Sequence, residues 1–396
     1  MNDAALRRMD AVMQVGLRLA RSAPSGRILL ARIAGAIDET WIPRPWGDQI
    51  AGELAAAWES AREPVKAKLI EQVLRDSWQA RPSDELDELD SEPVAVTPTS
   101  QVHRGVLEGA PVAIKVLRPG LARSVRQDLA LLDALLGPLE AAFPALDAGA
   151  IVREVRERTQ DELDLESEGA AQRRFHRALR GHPSLIVPAP VMRLTHPEVL
   201  VSEWVDGVPL WRAPDRNRAA VQLVVFALGS AAAGLAHAGL DPDDVLVLAD
   251  GRLAILDFGA WCEVDSGRVT LATVAVDAFL ARDADAFAGA VQRLGWLPAG
   301  RGGVALSVIE HVLGELAGPG PVRLDRAAVL GARDRLGDDP DAVVELILNG
   351  TIASPDLWPA RGVAQLFGTI ARVGATGDWR ELISAALHDG WSAAGA

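Results

Sequence analysis

HAGLDPDDVLVLADGRLAILDFG, residues 237–259, is the stretch whose reading decides the fold. Two apolar runs, Val245 to Leu248 and Leu253 to Leu256, flank Asp250-Gly251. An Asp-Gly pair supplies the positive φ of a tight turn, so this half is expected to be a β-hairpin. Its second strand runs out into Asp257-Phe258-Gly259. A carboxylate is thereby placed where a strand ends at a cleft and a glycine lets the chain turn away. An acid so placed is suited to holding Mg²⁺ against nucleotide phosphates. Asp-Phe-Gly recurs by chance; the hairpin and the acid-rich loop before it give the motif its weight.

Upstream, Ala219 to Leu240 is the longest apolar stretch, but Gln222, Ser230, His237 and many Ala and Gly make it a buried helix. A membrane span wants roughly 20 strongly apolar residues. Before it, Val191 to Leu194 and Val199 to Trp204 read as short strands. The second closes in Glu203-Trp204-Val205-Asp206-Gly207, a hinge-like sequence. A long charged helix is expected from about 149 to 180. Asp161, Glu162, Asp164, Glu166 and Glu168 place five acids in eight of its residues. Like charges four apart, such as Asp164 with Glu168, destabilise a helix by roughly a few tenths of a kcal/mol per pair. Either this is a solvated face or cations lie opposite it.

Pro119 opens an earlier helix with Leu121, Val125, Leu129, Leu132 and Leu136 at helical spacing, ending near Gly137-Pro138. Ser100 to Leu107 and Pro111 to Leu117 read as a strand pair turned at Glu108-Gly109. The second strand alternates around Lys115, whose ammonium must reach water or meet an anion. The acids and prolines from Arg81 to Pro98 (SDELDELDSEP) mark a linker or a short helix followed by a turn. Residues 1 to about 80 read as helical, with breaks at Pro24 to Gly26 and Ile42 to Pro45, and 264–396 read as a helical bundle with breaks near Gly295, Gly318 to Pro321 and Asp339-Pro340.

Composition narrows the function. A formal charge of −14 over 396 residues argues against a nucleic-acid partner. The single cysteine, Cys262, excludes an internal disulfide and a cysteine zinc cluster. The seven histidines show no HExxH spacing. With no export signal in the first residues, a cytoplasmic location is expected.

The order strand-lysine, acidic helix, hinge strand, helix, loop, hairpin, Asp-Phe-Gly is that of a protein kinase fold. VAIKVLRPG (112–120), ELDLESEGAAQRRF (162–175), VLVSEWVDGVPL (199–210) and LADGRLAILDFGA (248–260) resemble the ABC1/AarF/UbiB atypical kinases, over about residues 93–297. The resemblance implies an α+β, two-lobed protein-kinase-like fold, mostly helical overall. Residues 1–92 would be a helical N-terminal extension, 93–206 the N-lobe and 207–396 a helical C-lobe. It implies ATP or another nucleotide with Mg²⁺. Lys115 would contact the α- and β-phosphates, with Glu168 as its helix partner. Glu162 and Asp164 would form the family's extra acidic pair, and Asp257 would hold the metal. Ser100 and Gln101, where QVHR (101–104) matches the end of the nucleotide loop, and Glu203 at the hinge would also line the nucleotide.

The sequence departs from the pattern at three places. The family's loop resembles H-x-D-x-H-P-G-N; aligned without gaps, its catalytic aspartate falls on Gly239 and its metal-binding asparagine on Asp244. Glycine accepts no proton, and loss of a positioned base costs on the order of 100- to 10,000-fold. Asp244 still offers oxygen to a hard cation. A shifted register would instead make Asp241-Pro242 the catalytic pair. The nucleotide loop, AVTPTS (95–100), has no glycine, and Pro98 removes a backbone donor. KLIEQ (68–72) is the nearest stretch to the family's K-x-G-Q signature and lacks its glycine.

The expectation is therefore a nucleotide-binding protein with weak or no phosphoryl transfer, linked by resemblance to isoprenoid quinone or lipid metabolism. An active atypical ATPase or small-molecule or lipid kinase is the alternative, and a scaffold that binds no nucleotide the second. An aminoglycoside-type phosphotransferase meets the same objection at Gly239. Lipid or peripheral membrane contact and a protein partner complete the expected partners.

Overall fold

The computed structural model describes residues 3–22, 52 and 63–393. The helix breaks expected at Pro24 to Gly26 and Ile42 to Pro45 lie outside the described residues. Helices α1 (Asp3–Ser22), α2 (Ala67–Trp78) and α3 (Pro82–Glu85) precede strands β1 (Glu88–Leu89), β2 (Ala95–Val96), β3 (Ser100–Leu107) and β4 (Ala110–Leu117). Then come α4 (Leu121–Asp128), a 3-10 segment (Leu129–Leu135), α5 (Leu136–Ala142), α6 (Ala148–Asp161), α7 (Leu165–Ala178), β5 (Leu185–Ile186) and β6 (Val199–Glu203).

Strands β1, β3, β4 and β6 pair in that order, all antiparallel, with β2 also on β3. Side chains alternate along β4, so its two faces diverge. Val112, Ile114 and Val116 form one core with Val199 and Val201 and with Ile70, Val73 and Leu74 of α2. Residues 67–78 are thus built into the N-lobe as a layer over its sheet. The opposite face carries Lys115 and Leu117; Leu117 packs with Leu121, Leu163, Leu165 and Leu200.

Three sequence expectations change here. The helix expected over 149–180 is two, because the Asp164 carboxylate caps α7 by accepting from the Glu166 and Ser167 amides. The break also separates acids that would otherwise repel along one helix. Val191 to Leu194 is not a strand but a 3-10 turn over Met192–Leu194, and the chain pairs with β6 just before it, at the bridge between Pro190 and Ser202. The helix opened by Pro119 gives way to the 3-10 segment, and α5 runs through Gly137-Pro138. Pro138 sits in its first turn, where its missing N–H has no intrahelical role.

The C-lobe begins with β7 (Val208–Pro209) and α8 (Arg216–Ala232), followed by β8 (Leu235–His237), β9 (Val245–Val247), β10 (Leu253–Ile255) and β11 (Trp261–Glu263). The expected hairpin is present: β9 and β10 pair antiparallel with Leu253 opposite Val247, and Gly251 has φ +84°. Helix α8 is the lobe's buried spine, with Leu223, Val224, Val225 and Phe226 each at most 1% exposed. No described helix is long and apolar enough to cross a membrane. Helices α9 (Ser266–Ala281), α10 (Ala284–Leu294), α11 (Gly302–Leu313), α12 (Arg326–Arg335), α13 (Pro340–Asn349), α14 (Ser354–Val373) and α15 (Trp379–Asp389) complete the bundle. The fold is the expected α+β, two-lobed, kinase-like architecture.

Candidate functional site

Lys115 projects from the middle of β4 on the face turned to α7. On α7 the buried positions Leu165, Glu168, Gly169, Gln172 and Phe175 make one stripe, so the Glu168 carboxylate is carried inward among apolar groups. It receives two hydrogen bonds from Lys115 Nζ, at 2.7 and 2.9 Å, and one from the Phe258 amide at 3.3 Å. Lys115 Nζ also donates to Asp257 Oδ2 at 2.6 Å. One ammonium therefore ties the N-lobe sheet, α7 and the end of the hairpin together.

The charges follow from this geometry. Burial alone would lower the Lys115 pKa, but Asp257 and Glu168 outweigh it and raise it above its ordinary value. Burial alone would raise Asp257; Lys115 and the Gly259 amide, 3.0 Å from Oδ1, hold it down to about 2. Glu168 is raised, by burial first and by repulsion from Asp257 second.

The loop before the hairpin is held from behind. His237 Nε2–H donates to the Asp257 carbonyl at 2.7 Å, and Nδ1 accepts from the Gly239 amide at 3.4 Å. Burial lowers the His237 pKa, which fits this neutral tautomer. The rings of Phe175, Phe226 and Phe258 stand around the imidazole, 5.3–6.1 Å away. Helix α14 backs the rest: Thr369 Oγ1 donates to the Leu240 carbonyl at 2.6 Å, and Arg372 Nη1 reaches Asp241 Oδ2 at 3.4 Å. Gly362 lies so close that a Cβ there would sit 2.4 Å from the His237 carbonyl oxygen.

The residues expected to do chemistry separate into two groups. Lys115, Glu168 and Asp257 are brought together, with Asp244 in their field. Asp244 is raised well above its ordinary pKa, by burial first, then by Asp257 and Asp241. Asp241 caps the turn over Pro242–Asp244, accepting from the Asp243 amide at 3.0 Å, besides its contact with Arg372. Gly239 presents no side chain, and a Cβ there would meet Ala260 Cβ at 2.9 Å.

The other expected residues are occupied structurally. Gln101 lies on the sheet face opposite Lys115; its Oε1 accepts from the Val65 amide at 2.8 Å and its Nε2 meets His103 at 2.7 Å. Ser100 is fully buried against Thr97, 3.0 Å between hydroxyls. Thr97 Oγ1 also accepts from the Thr99 and Ser100 amides, which uses up donors in the loop. Asp164 is the α7 cap described above. Glu203 ends β6, exposed, with Oε2 accepting from the Ala189 amide. Glu162, buried, pairs with Arg361 Nη1 at 2.6 Å.

Arg361, Gly362, Thr369 and Arg372 were not anticipated. They sit on α14, about a hundred residues beyond Asp257, in a helix whose sequence carries no motif. Burial lowers the Arg361 pKa to about 10, so the guanidinium stays charged at neutral pH.

Asp257 and Asp244 are oxygen donors that repel one another, and this is what a hard divalent cation relieves; the residues fit Mg²⁺. Among the described residues no three His, Cys, Asp or Glu side chains converge as a cage. Mg²⁺ itself is held by one or two carboxylates together with substrate phosphates.

Residues 58–290 match the ABC1 atypical kinase-like domain. Curated relatives include an uncharacterized protein, slr0889, of Synechocystis, 31% identical over 51% of this chain and 55% of its own length. The probable protein kinase UbiB of Marinobacter nauticus is 28% identical over 50% of this chain and 39% of its own. The mitochondrial atypical kinase COQ8B of Danio rerio is 30% identical over 38% and 24%. The match thus spans about half of these relatives' length or less. The structure of Rv3197 from Mycobacterium tuberculosis in complex with erythromycin covers 97% of both chains, with a TM-score of 0.67 and 22% identity, a likeness of fold. Helix α14 lies beyond residues 58–290.

Proposed function

The chain belongs to the ABC1 atypical kinase-like family, and from that premise we propose that it binds a nucleotide with Mg²⁺ between its lobes while transferring phosphoryl groups weakly or not at all. One observation carries this reading: Lys115, Glu168 and Asp257 are assembled within 2.6–2.9 Å, while position 239 is glycine. Lys115 places a cation for the α- and β-phosphates, and Glu168 fixes its direction. Asp257 and Asp244 hold the metal. Mg²⁺, when bound, neutralises phosphate charge.

The loop argues for weak chemistry. Asp241 is the nearest acid along the sequence to the missing base, and its two oxygens are engaged by the Asp243 amide and Arg372. The turn at Thr97 to Ser100 spends its amides on Thr97, so phosphate grip there is poor. A link to isoprenoid quinone or lipid metabolism, with peripheral membrane contact, rests on family membership alone. Flotation with quinone-containing vesicles tests it; protein that stays at the bottom of the gradient removes it.

Thermal unfolding with and without Mg-ATP is the test of binding. A ligand at 100 to 1,000 times its Kd stabilises by about 2.7 to 4.1 kcal/mol. The native protein should gain on this scale, and Lys115→Ala and Asp257→Asn should not. No shift at millimolar nucleotide would leave the scaffold reading. Turnover that is lost in both Asp257→Asn and Asp241→Asn would establish the active kinase or ATPase instead.

A further inference from the structure

Arg361 has no part in the reading above. It extends from α14 to the Glu162 carboxylate, and the Glu162 carbonyl lies 3.7 Å from where a Cβ on Gly259 would stand, so the guanidinium is in the field of both Asp257 and His237. Lys115 reaches Asp257 from the N-lobe, whereas Arg361 belongs to the C-lobe helix that backs the loop. Gly362, the next residue, lies against the His237 carbonyl and Ala238. The position of Arg361 is therefore set by close backbone packing.

Its partners leave most of its donors unused. Among the described residues, one hydrogen bond is made, from Nη1 to Glu162 Oε1 at 2.6 Å, and the guanidinium carbon stands 5.1 Å from the Trp358 ring centroid. A guanidinium has five N–H donors in a planar fork that matches phosphate oxygens. Stacking on an indole holds that plane without consuming them.

We infer that Arg361 binds the terminal phosphate of a nucleoside triphosphate, so that the site distinguishes triphosphate from diphosphate. Lys115 would meet the inner phosphates and Arg361 the outermost one. The inference rests on nucleotide binding and adds the residue that reads the third phosphate.

Calorimetric titration with Mg-ATP and Mg-ADP tests it on the native protein, Arg361→Ala, Arg361→Lys and Glu162→Gln. Arg361→Ala should weaken ATP by about tenfold or more while ADP changes less than about threefold. Arg361→Lys should fall between, keeping the charge and losing the fork. Glu162→Gln should leave ATP binding intact or tighter, because it frees the guanidinium. If Arg361 only clamps the lobes, Arg361→Ala and Glu162→Gln weaken ATP and ADP alike, and that result overturns the inference. Native protein that binds both nucleotides with an ATP-to-ADP ratio unchanged by Arg361→Ala overturns it and spares the nucleotide site. Native protein that binds neither removes both.

Discussion

Residues 245–259 and residues 237–244 are neighbours in one stretch of chain, yet their polar groups point in different directions. The hairpin delivers Asp257 to Lys115 and Glu168, so that charges from three elements meet one another. In the loop, His237 turns back to the Asp257 carbonyl, the Leu240 carbonyl accepts from Thr369, and Asp241 meets its own turn and Arg372. The loop keeps its shape because α14 and three phenylalanines hold it. Its frame is therefore no measure of catalysis, whereas the charges around Asp257 join three elements at one ammonium.

The contrast can be broken from either side. Lys115→Ala has the largest expected effect: it strips the cation from Glu168, which is 1% exposed, and should lower stability by about 3 kcal/mol in urea unfolding, besides abolishing nucleotide binding. Gly362→Ala strikes the frame. Its Cβ would overlap the His237 carbonyl, so the loop or α14 must move, at about 1–3 kcal/mol; nucleotide affinity should fall less than in Lys115→Ala.

Gly239→Asp sharpens the comparison. Alone it meets Ala260 Cβ and should cost about 1–2 kcal/mol with no gain in phosphate release. Paired with Ala260→Gly the obstruction is gone, and phosphate release should appear if the base is the missing part.

The pH dependence of the native protein probes the same charges without a change at the loop. Asp257, held at about 2 against an ordinary 3.8, contributes stability that is present above the ordinary value and lost as pH falls toward 2. Asp244 runs the other way. Folded, it keeps a proton that the unfolded chain has released, so stability falls as pH rises from its ordinary value through its raised one. Asp244→Asn should flatten that fall and stabilise the nucleotide-free protein at neutral pH, while weakening the Mg²⁺ dependence of binding. Unfolding midpoints across pH, for native and variant protein, check both.

Much of this was legible because it is local or strongly patterned. Asp250-Gly251 between apolar runs marks the hairpin, and a lysine alone in an aliphatic strand must reach water or meet an anion. The partner on α7 was readable only through the family resemblance, because the run of acids by itself fits a solvated face as well as an opposing cation. What escaped was set by distance along the chain. Nothing in the sequence near Glu162 points to Arg361, and nothing near Asp241 points to Arg372. Gln101 was misplaced for a simpler reason: one residue along a strand changes its face, and the sequence did not say that α2 would cover that side.

Phosphate release measured under Mg-ATP, on protein whose occupancy is followed by its heat of binding, tests the central claim most directly. The account predicts a site that fills with ATP and releases phosphate no faster than Asp257→Asn does. A native protein that binds ATP and turns it over well above Asp257→Asn would contradict it.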